Sequence, residues 1–448
     1  MSTGTKHRTP PNLLGVIALL MAMLPMSTAL AAPGATACDN RTNNTYAGLL
    51  EWVRVEGVRE HQAAFQEIAH ENGGNRAAGT SGYDASVAYV VEVLEAAGWE
   101  VELDVFDFEY FPPAVLEQLT PITATYETGT FTNSGTGDVT GSVIPVDINL
   151  VPPRASTSGY EDSDFAGLDF SGPNDIALIQ RGTCVFAELE GENDDNVVMA
   201  GAHLDSVPAG PGINDNGSGS AALLVAEALG KLKPENTLRF AWWGAEEAGL
   251  VGSTAYVAGL SQAERDRIAL YLNFDMVGSP NYIFMVYDGD ESGFPAPPGM
   301  PIPEGSIAIE DVFESYYTLV GEPYDDARFS GRSDYQAFIL ADIPSGGLFT
   351  GAEQPKSAEQ AAIWGGTVGA QLDPCYHIAC DTYDNVSLHA LDVNVDAIAF
   401  AILTYAYSTQ TVNGVEGQKV PGHFIIPAPA GPEGSGAGGG PRGPPMAA

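Results

Sequence analysis

The sequence predicts an α/β fold, in which the strands of one central sheet alternate with helices, together with a partial β-rich insert. From Val197 onward, short apolar stretches suited to buried strands alternate with loops and helical segments. Residues able to bind metal directly follow several of these stretches, as expected where ligands bind beyond the strand ends of an open α/β sheet. Residues 112–183 differ, because they are rich in Thr, Ser, Gly and Pro. We therefore assign this stretch to the insert.

The predicted elements before the insert are two helices and a strand. Apolar residues recur on one helical face over residues 58–72 and again over 83–98, and Gly98 is placed to end the second helix. Residues 100–108 alternate apolar and polar side chains, which predicts a strand. After the insert, the predicted elements are the strand 197–200, the helix 221–229 and the strands 238–243 and 269–274.

The composition is that of an acidic protein with a sizeable core. The 448 residues suffice for one large domain and a smaller one, and 44% of them are hydrophobic. Asp and Glu total 58 against 18 Lys and Arg, which gives a formal net charge of −40. This charge repels phosphate and argues against a nucleic-acid partner. Residues 412–448 are rich in Pro and Gly, and we expect them to form a disordered tail.

Residues 1–31 have the pattern of a secretory signal peptide. A positively charged segment at residues 6–8 precedes an apolar stretch over residues 13–24, and a small-x-small cleavage site follows at residues 29–31. A membrane anchor is the alternative, but about a dozen apolar residues fall short of the roughly 20 that span a bilayer. By this criterion, we expect no later segment to be apolar enough to span a bilayer. We therefore expect a secreted, extracellular protein without a membrane partner.

The four cysteines fit an oxidising compartment. Cys375 and Cys380 flank His377, and a disulfide between them would brace a loop that carries a metal ligand. A zinc knuckle is the alternative for this spacing, but carboxylates dominate the other candidate ligands. Cys38 and Cys184 have no local partner, so they either pair with each other or stay free.

Five short segments carry the side chains that can bind metal. They are residues 201–205, 212–217, 243–247, 272–275 and 374–377. Together they offer two His, three carboxylates to hold metal, one spare carboxylate and Asp205. Each segment alone has an ordinary structural explanation, such as a turn or the first turn of a helix. The ordered set is instead typical of a two-zinc hydrolase.

The residue types explain how such a site would work. His203 follows a strand, and the Asp205 carboxylate can accept a hydrogen bond from the imidazole N–H that faces away from the metal. Asp215 lies in a turn that leads into a helix, where its two oxygens are exposed to bridge two cations. Glu246 and Glu247 end an aromatic strand, so one can bind metal while the other moves protons.

The charge balance of the candidate ligands also suits zinc. Two Zn²⁺ ions bring four positive charges, and Asp215, Glu247, Asp275 and one hydroxide bring four negative charges. The resulting site is neutral. Oxygen and imidazole ligands suit zinc, although manganese and cobalt remain open on ligand type alone.

These segments resemble the secreted bacterial di-zinc aminopeptidases, a leucine aminopeptidase-like family with a zinc-peptidase fold. The resemblance covers residues 58–110 and 188–410. Its motifs are Ala-Gly-Ala-His-Leu-Asp-Ser at 200–206, Gly-Ile-Asn-Asp-Asn-Gly-Ser-Gly at 212–219, Ala-Trp-Trp-Gly-Ala-Glu-Glu at 241–247, Leu-Asn-Phe-Asp-Met at 272–276, Gly-Arg-Ser-Asp at 331–334, Gly-Gly-Leu-Phe-Thr-Gly at 346–351 and Asp-Pro-Cys-Tyr-His at 373–377. The resemblance implies a mixed central sheet flanked by helices and a catalytic domain at residues 45–111 and 184–411.

Carried over residue by residue, the resemblance implies how two zinc ions are held. One zinc would take His203 and Asp275. The other would take Glu247 and His377, and Asp215 would bridge the two ions.

The resemblance also assigns the chemistry and the substrate contacts. Glu246 would be the general base, which takes a proton from the attacking water and passes it to the departing amine. Tyr376 would donate a hydrogen bond to the developing oxyanion. The α-amine of the substrate would meet Glu246, Asp275 and the backbone carbonyl near Arg332. The positions that would line an apolar pocket for the first side chain are Met276, Gly331 and Phe349.

Two structural features are implied as well. The family shows a cis peptide after the bridging Asp, so we expect a cis bond between Asp215 and Asn216. Some members bind a structural calcium, and Asp392 and Asp396 match two of its carboxylates, four residues apart on one helix face. The N-terminal calcium ligand has no clear match, because Trp52 falls near its place.

The insert departs from the family pattern. Longer members carry a protease-associated domain at this point, and residues 176–184 resemble its first half, whereas the second half is missing. We therefore expect residues 112–183 to be the remnant of a deletion. Residues 184–188 have the length and apolarity of a strand that would complete the sheet.

The leading interpretation is a secreted zinc aminopeptidase that removes N-terminal, bulky apolar residues from peptides. We expect it to be a monomer. A carboxypeptidase or a glutaminyl cyclase of the same clan is one alternative, but Arg332 alone lies near the site motifs to grip a free carboxylate. A non-catalytic binding protein is another, if the deletion impairs folding. The presence of every expected ligand favours the enzyme.

Overall fold

A mixed sheet of eight strands forms the centre of the described part of the chain. The structure is a computed structural model, and it describes residues 42–109, 116–118, 124–126, 179–224 and 226–435. The strands of this sheet, in chain order, are β1 Glu100–Glu109, β4 Ile179–Leu189, β5 Asn193–His203, β6 Asn236–Trp243, β7 Ile268–Phe274, β8 Met285–Tyr287, β9 Asp325–Ala327 and β10 Ser345–Phe349. A separate two-stranded sheet consists of β2 Leu116–Gln118 and β3 Ala124–Tyr126.

The spatial order of the strands is β1-β4-β6-β5-β7-β10-β8-β9. The central strands β6, β5, β7 and β10 are parallel to one another. On one side β4 is antiparallel to both β6 and β1, and on the other side β8 is antiparallel to β10 and parallel to β9. The predicted mixed sheet is therefore confirmed. The parallel centre brings the carboxyl ends of β5, β6 and β7 to the same edge.

Helices flank this sheet. Before the insert they are α1 Tyr46–Trp52, α2 Val55–Glu71 and α3 Ser81–Ala97. After it they are α4 Gly217–Leu223, α5 Ala226–Leu229, α6 Val251–Gly259, α7 Gln262–Arg267, α8 Ser306–Val320, α9 Tyr335–Leu340, α10 Ala358–Trp364, α11 Leu388–Tyr407 and α12 Gln410–Asn413. The helix ends follow local sequence: Thr80 caps α3 by accepting from the backbone N–H of Tyr83, and Gly98 ends it at φ 92°.

Helix α11 is long and apolar enough, by length and composition, to cross a membrane. The expectation that no segment after the signal peptide is apolar enough to span a bilayer is therefore wrong by this criterion. Because 67% of its apolar window is buried inside the protein, α11 is the central helix of the core. Its side chains pack with those of β5, β6 and α8 in one hydrophobic cluster.

One predicted helix is divided in two. The sequence predicted a single helix over residues 221–229, but α4 begins at Gly217 and ends at Leu223, and α5 starts at Ala226. Asn216 explains the earlier start, because its side chain accepts the backbone N–H of Gly219 and so caps the helix. Helix α4 consequently begins one residue after the cis peptide.

Residues 184–188 lie within β4 and pair on both sides. Val185 is opposite Leu103 of β1 and Trp242 of β6, and its side chain is fully buried. The segment thus fills the place between β1 and β6, as its apolarity predicted. Cys184 is a free, buried thiol, whereas Cys38, the signal peptide and most of the insert lie outside the described residues.

Part of the expected tail is bound to the domain. Residues 414–435 contain no helix or strand, but Glu433 donates its backbone N–H to the carbonyl of Tyr324 at 2.9 Å. The backbone N–H of Ser435 donates to the Asp325 carboxylate at 2.9 Å. This portion therefore lies against the start of β9, because the Tyr324 carbonyl and the Asp325 carboxylate accept its N–H groups.

Candidate metal centre

The candidate ligands meet at one edge of the sheet. His203 is the last residue of β5, Asp275 directly follows β7, and Glu246 and Glu247 follow β6 after two residues. Since these three strands are parallel neighbours, their carboxyl ends lie side by side. Loops add Asp215 before α4 and His377 before α11. These six residues, here termed the metal centre, are His203, Asp215, Glu246, Glu247, Asp275 and His377.

Asp215 lies between the two imidazoles. Its Oδ1 is 3.3 Å from Nε2 of His203, and its Oδ2 is 3.1 Å from Nε2 of His377. The Nε2 atom of His203 also lies 3.3 Å from Asp275 Oδ1, and that of His377 lies 3.1 Å from Glu247 Oε2. The carboxylates thus divide into two sets, each with one imidazole, and Asp215 belongs to both. The resemblance implied this grouping for two metal ions, and its use by two ions stays a prediction.

The pKa values of the two imidazoles indicate that the metal centre favours positive charge. Burial alone would lower the pKa of His203, but the Glu246 and Asp275 carboxylates raise it well above its usual value. Burial likewise opposes the charge of His377, yet hydrogen bonds to Asp215 and Glu247 raise its pKa to about 10. The carboxylates around both imidazoles therefore favour positive charge at this place, which a bound cation would supply.

The donor set fits zinc. Imidazole nitrogens and carboxylate oxygens are the zinc ligands that these residue types supply. Oxygen Oε1 of Glu247 is buried without a hydrogen-bond partner among the described residues, which is costly for a carboxylate that holds no cation. Burial, followed by the charge of Asp215, raises the pKa of Glu247 to about 7. Both observations fit a carboxylate that would bind a metal ion.

Asp205 acts differently from the prediction. The nearest acceptor to Nδ1 of His203 is the backbone carbonyl oxygen of Asp205 at 3.1 Å, and the carboxylate is farther away at 3.7 Å. The carboxylate instead accepts the backbone N–H groups of Glu246 at 3.1 Å and Glu247 at 3.3 Å. Two residues of spacing cannot reveal this choice, because it depends on where the end of β6 lies.

The side chain of Tyr376 is held in place by Arg332, which also pairs with Glu353. Arg332 donates from Nη2 to the Tyr376 hydroxyl oxygen at 3.0 Å and from Nη1 to Glu353 Oε1 at 2.7 Å. Burial raises the pKa of Tyr376, so the phenol keeps its proton. The Tyr376 ring also stacks on the imidazole of His377, with ring centroids 3.8 Å apart. The guanidinium of Arg332, which the sequence analysis did not assign, thus orients the phenol.

Three residues that support the metal centre were not identified as functional from the sequence. Asp381 accepts the backbone N–H groups of Asn214 at 2.8 Å and Asp215 at 3.0 Å. Ser333 donates its hydroxyl to Asp275 Oδ2 at 2.7 Å. Ser333 lies in a motif that the resemblance quoted, which was the available signal. Asp381 offered none beyond its position next to Cys380.

Arg76 is the third supporting residue, and it is completely buried. Its guanidinium donates to the backbone carbonyls of Pro211 at 2.9 Å and Gly212 at 2.8 Å, and it also reaches that of Leu204. These carbonyls belong to the chain between His203 and Asp215. Arg76 therefore fixes the path that carries both ligands, although it precedes them by more than a hundred residues in the sequence.

Two local features match their predictions. Cys375 and Cys380 form a disulfide, so the loop that carries His377 is closed on itself. The peptide bond between Asp215 and Asn216 is cis.

The predicted pocket residues lie beside the ligands in the chain. Met276 follows Asp275 and is buried, Gly331 precedes Arg332 at φ 78°, and Phe349 ends β10 next to β7. Their role in binding the first side chain of a substrate stays a prediction.

The predicted calcium pair lies on α11. Oxygen Oδ1 of Asp396 is buried without a partner among the described residues, and burial with the charge of Asp392 raises the pKa of Asp396 to about 7. In the described part of the chain, no third carboxylate or imidazole joins Asp392 and Asp396. Calcium at this place therefore also stays a prediction.

Comparison with known proteins points to one family and one fold. The sequence profile of Peptidase family M28 matches residues 184–402. An aminopeptidase of Pseudomonas aeruginosa is 40% identical over an alignment of 467 positions, which covers 84% of this chain and 86% of that protein. A probable lipoprotein aminopeptidase of Mycobacterium tuberculosis is 38% identical, with 81% of this chain and 87% of that protein covered. The solved structure of an aminopeptidase from Aneurinibacillus sp. strain AM-1 shares the fold, with a TM-score of 0.57 at 20% identity over 86% of this chain and 98% of that one.

Proposed function

Since the chain belongs to peptidase family M28 and is a metallo-aminopeptidase, we propose that it removes bulky apolar residues from peptide N-termini with two zinc ions. The observation that carries the metal count is the position of Asp215. Its two oxygens lie 3.3 and 3.1 Å from the Nε2 atoms of His203 and His377. A carboxylate shared in this way between two ligand sets supports a bridged pair of ions, with Asp275 in one set and Glu247 in the other.

Glu246 supports a hydrolytic role for the metal centre. When bound, zinc lowers the pKa of water and polarises a carbonyl group. Burial, and then the charges of Glu247 and Asp275, raise the pKa of Glu246 well above its usual value. Its carboxylate can therefore accept a proton from the attacking water and return it to the departing amine. Glu246 Oε2 is 3.9 Å from His203 Nε2, farther than the ligand oxygens, which leaves it free for this role.

Tyr376 supports the same reaction from the other side. Because Arg332 donates to the phenol oxygen, the Tyr376 hydroxyl proton is free to point elsewhere. A phenol that keeps its proton can donate a hydrogen bond to the oxyanion that forms when water attacks the carbonyl. Glu246 and Asp275 would also pair with the ammonium group of the substrate, which is how a free N-terminus would be selected.

The location outside the cytoplasm belongs to the same proposal. The disulfide between Cys375 and Cys380 fits an oxidising compartment. The relative from Mycobacterium tuberculosis is described as a lipoprotein, which supports the cell envelope or the extracellular space. The signal pattern at residues 1–31 favours secretion. We propose further that the enzyme acts as a monomer without a nucleic-acid or membrane partner.

A set of p-nitroanilides tests the proposal. We expect cleavage of the Leu derivative ahead of the Lys and Glu derivatives, no cleavage of N-acetyl-Leu-p-nitroanilide, and loss of activity with a chelator. Zinc analysis of the purified protein should give two ions per chain. Cleavage of the acetylated substrate would contradict selection of a free amine, and one zinc per chain would contradict the bridged pair.

The same assay addresses the alternatives. A carboxypeptidase needs a free cation to grip a carboxylate, but the guanidinium of Arg332 is engaged by Glu353 and Tyr376. Release of ammonia from an N-terminal Gln peptide would indicate a glutaminyl cyclase. Peptide binding without turnover in the zinc-loaded protein would indicate a binding protein.

A further inference from the structure

A second group of carboxylates lies outside the metal centre, where β8 ends. Its five members, here termed the acidic pocket, are Asp288 and Asp290 in the loop after β8, Glu310 and Glu314 on α8, and Asp326 on β9. Oxygen atoms of Asp288, Asp290 and Glu310 lie within 4.8 Å of one another. Those of Glu310, Glu314 and Asp326 do the same. Glu310 therefore joins the two sets into one cluster.

The acidic pocket contains negative charge without a protein counter-ion. Asp288, Glu310, Glu314 and Asp326 are buried, with exposed fractions of 2%, 4%, 7% and 4%, and Asp290 is exposed. Among the ion pairs of the described residues, none includes a member of the acidic pocket. Burying several carboxylates together without a cation is unfavourable.

Two of the buried side chains lack the hydrogen bonds that usually accompany burial. The carboxylate of Glu314 accepts no hydrogen bond from any residue that the structure describes, although an oxygen of it converges with oxygens of Glu310 and Asp326. Oxygen Oδ1 of Asp326 is buried and has no partner among the same residues. Buried carboxylate oxygens are normally paired. The unpartnered Oδ1 of Asp326 is therefore left for a ligand, and an oxygen of Glu314 lies close to this carboxylate.

The remaining members are held in place by backbone N–H groups. Glu310 Oε2 accepts those of Gly289 at 3.0 Å and Asp290 at 2.9 Å, and Asp288 Oδ1 accepts that of Ser292 at 2.9 Å. One oxygen of Glu310 is thereby oriented by the protein. Both oxygens of Asp288 are, because its Oδ2 also accepts the backbone N–H groups of Gly293 at 3.1 Å and Phe294 at 2.5 Å. The other oxygen of Glu310 remains free of such a bond.

The loop sequence has the spacing of a calcium-binding loop. In Asp-Gly-Asp-Glu-Ser-Gly at residues 288–293, oxygen-bearing side chains stand at the first, third and fifth positions and glycine at the sixth. Gly293 is required by space as well, because a Cβ atom there would lie 2.3 Å from Asp326 Oδ2. The loop can approach Asp326 this closely only without a side chain at this position.

We propose that the acidic pocket binds calcium. All its ligands are oxygens, five of its side chains are carboxylates, and His and Cys are absent from the set, which suits a hard cation. Calcium accepts six to eight oxygen ligands in flexible geometry, whereas magnesium keeps several waters and is less suited to a crowded set of carboxylates. The exposed Asp290 gives the ion access from solvent. The bound ion ties together the loop after β8, helix α8 and strand β9, and so stabilises this end of the sheet.

The acid–base properties of the acidic pocket agree with this assignment. Burial and the neighbouring carboxylates raise the pKa of Glu310 to about 9 and those of Glu314 and Asp326 to about 7. The protein without calcium therefore relieves the repulsion by taking up protons. A divalent cation would replace those protons at neutral pH.

Calcium content and thermal unfolding of the zinc-loaded full chain test the proposal. After dialysis against about 1 mM calcium chloride, we expect at least one calcium per chain and a raised melting temperature, with a much smaller effect from magnesium chloride. Glu314→Gln and Asp326→Asn keep the side-chain shape and remove a charge, so each should weaken calcium binding at least about tenfold. Zinc content and the rate of Leu-p-nitroanilide cleavage should stay at the wild-type level in both variants.

Two controls locate the ion. Glu304→Gln changes an exposed residue near the start of α8 and should leave calcium binding unchanged. Asp392→Asn removes one of the carboxylates on α11 and should also leave it unchanged. The proposal is overturned if the wild type takes up no calcium, if both acidic-pocket variants bind it as the wild type does, or if Asp392→Asn alone abolishes binding.

Discussion

The Asp205 carboxylate accepts the backbone N–H of Glu246 across 3.1 Å, which couples the first candidate ligand segment to the third. Its other oxygen accepts the backbone N–H of Glu247 at 3.3 Å, and its carbonyl oxygen lies 3.1 Å from Nδ1 of His203. One buried residue thus orients a candidate imidazole ligand, a candidate carboxylate ligand and the proposed base. Outer residues of this kind commonly set both metal affinity and activity.

Asp205→Asn should therefore weaken the metal centre without replacing a ligand. The amide group of Asn can accept only one of the two N–H groups, because its NH₂ end would face the other donor. We expect zinc affinity and kcat to fall by about 10- to 100-fold, measured by chelator competition and by steady-state kinetics. Asp266→Asn, at an exposed position, is the control. Wild-type zinc affinity and kcat in Asp205→Asn would contradict the role given to this carboxylate.

Glu246 and Glu247 are adjacent but should respond differently to substitution. Glu246→Ala should keep both metal ions and lose about 10²- to 10⁴-fold in kcat, because only the proton carrier is removed. Glu247→Ala should lose metal, because its carboxylate lies 3.1 Å from Nε2 of His377 in one ligand set. Metal analysis beside kcat separates the two results. Loss of metal from Glu246→Ala would show that this residue is a ligand.

Tyr376 and Arg332 should act as one unit. Tyr376→Phe removes the proposed donor to the oxyanion and should lower kcat by about 10²- to 10³-fold with little change in KM. Arg332→Ala frees the phenol from its orienting partner and should lower kcat less. Because the two groups share one hydrogen bond of 3.0 Å, the double variant should be no slower than Tyr376→Phe. A Tyr376→Phe variant with raised KM and unchanged kcat would instead assign the phenol to substrate binding.

The sequence was sufficient to predict those candidate site residues that directly follow a predicted strand. His203, Asp275 and the Glu246–Glu247 pair each follow an apolar stretch, and parallel pairing of β5, β6 and β7 brings them together. Periodicity located those strands, whereas the assignment of these residues to two zinc ions came from the family resemblance. The sequence could not predict that His203 contacts the backbone carbonyl of Asp205 while the Asp205 carboxylate accepts the N–H groups of Glu246 and Glu247. That arrangement depends on the position of another chain segment, the end of β6.

Residues that support the site from a distant part of the chain could not be predicted from the sequence for the same reason. Arg76 lies in the segment between α2 and α3, and it contacts carbonyls between His203 and Asp215 that belong to a distant part of the chain. A backbone carbonyl carries no residue identity, so no pattern at residues 204–212 points to an arginine. The acidic pocket could be predicted from the sequence only in part. Its loop has a recognisable spacing, but Glu314 and Asp326 join it only through packing of α8 and β9.

Calcium should change how stability depends on pH, which is the last prediction. Burial and like charge raise the pKa of Glu310 to about 9 and that of Glu314 to about 7 in the calcium-free protein, against a usual value of 4.5. The folded state then binds more protons than the unfolded state above the usual value, so the free energy of unfolding falls as pH rises toward 9. We expect the melting temperature of the calcium-free, zinc-loaded protein to drop between about pH 6 and pH 9 by a few °C more than in excess calcium. In Glu314→Gln the calcium-free drop should be smaller, because one of the titrating groups is gone. Scanning calorimetry at fixed zinc measures the difference, and equal drops with and without calcium would contradict cation binding by these carboxylates.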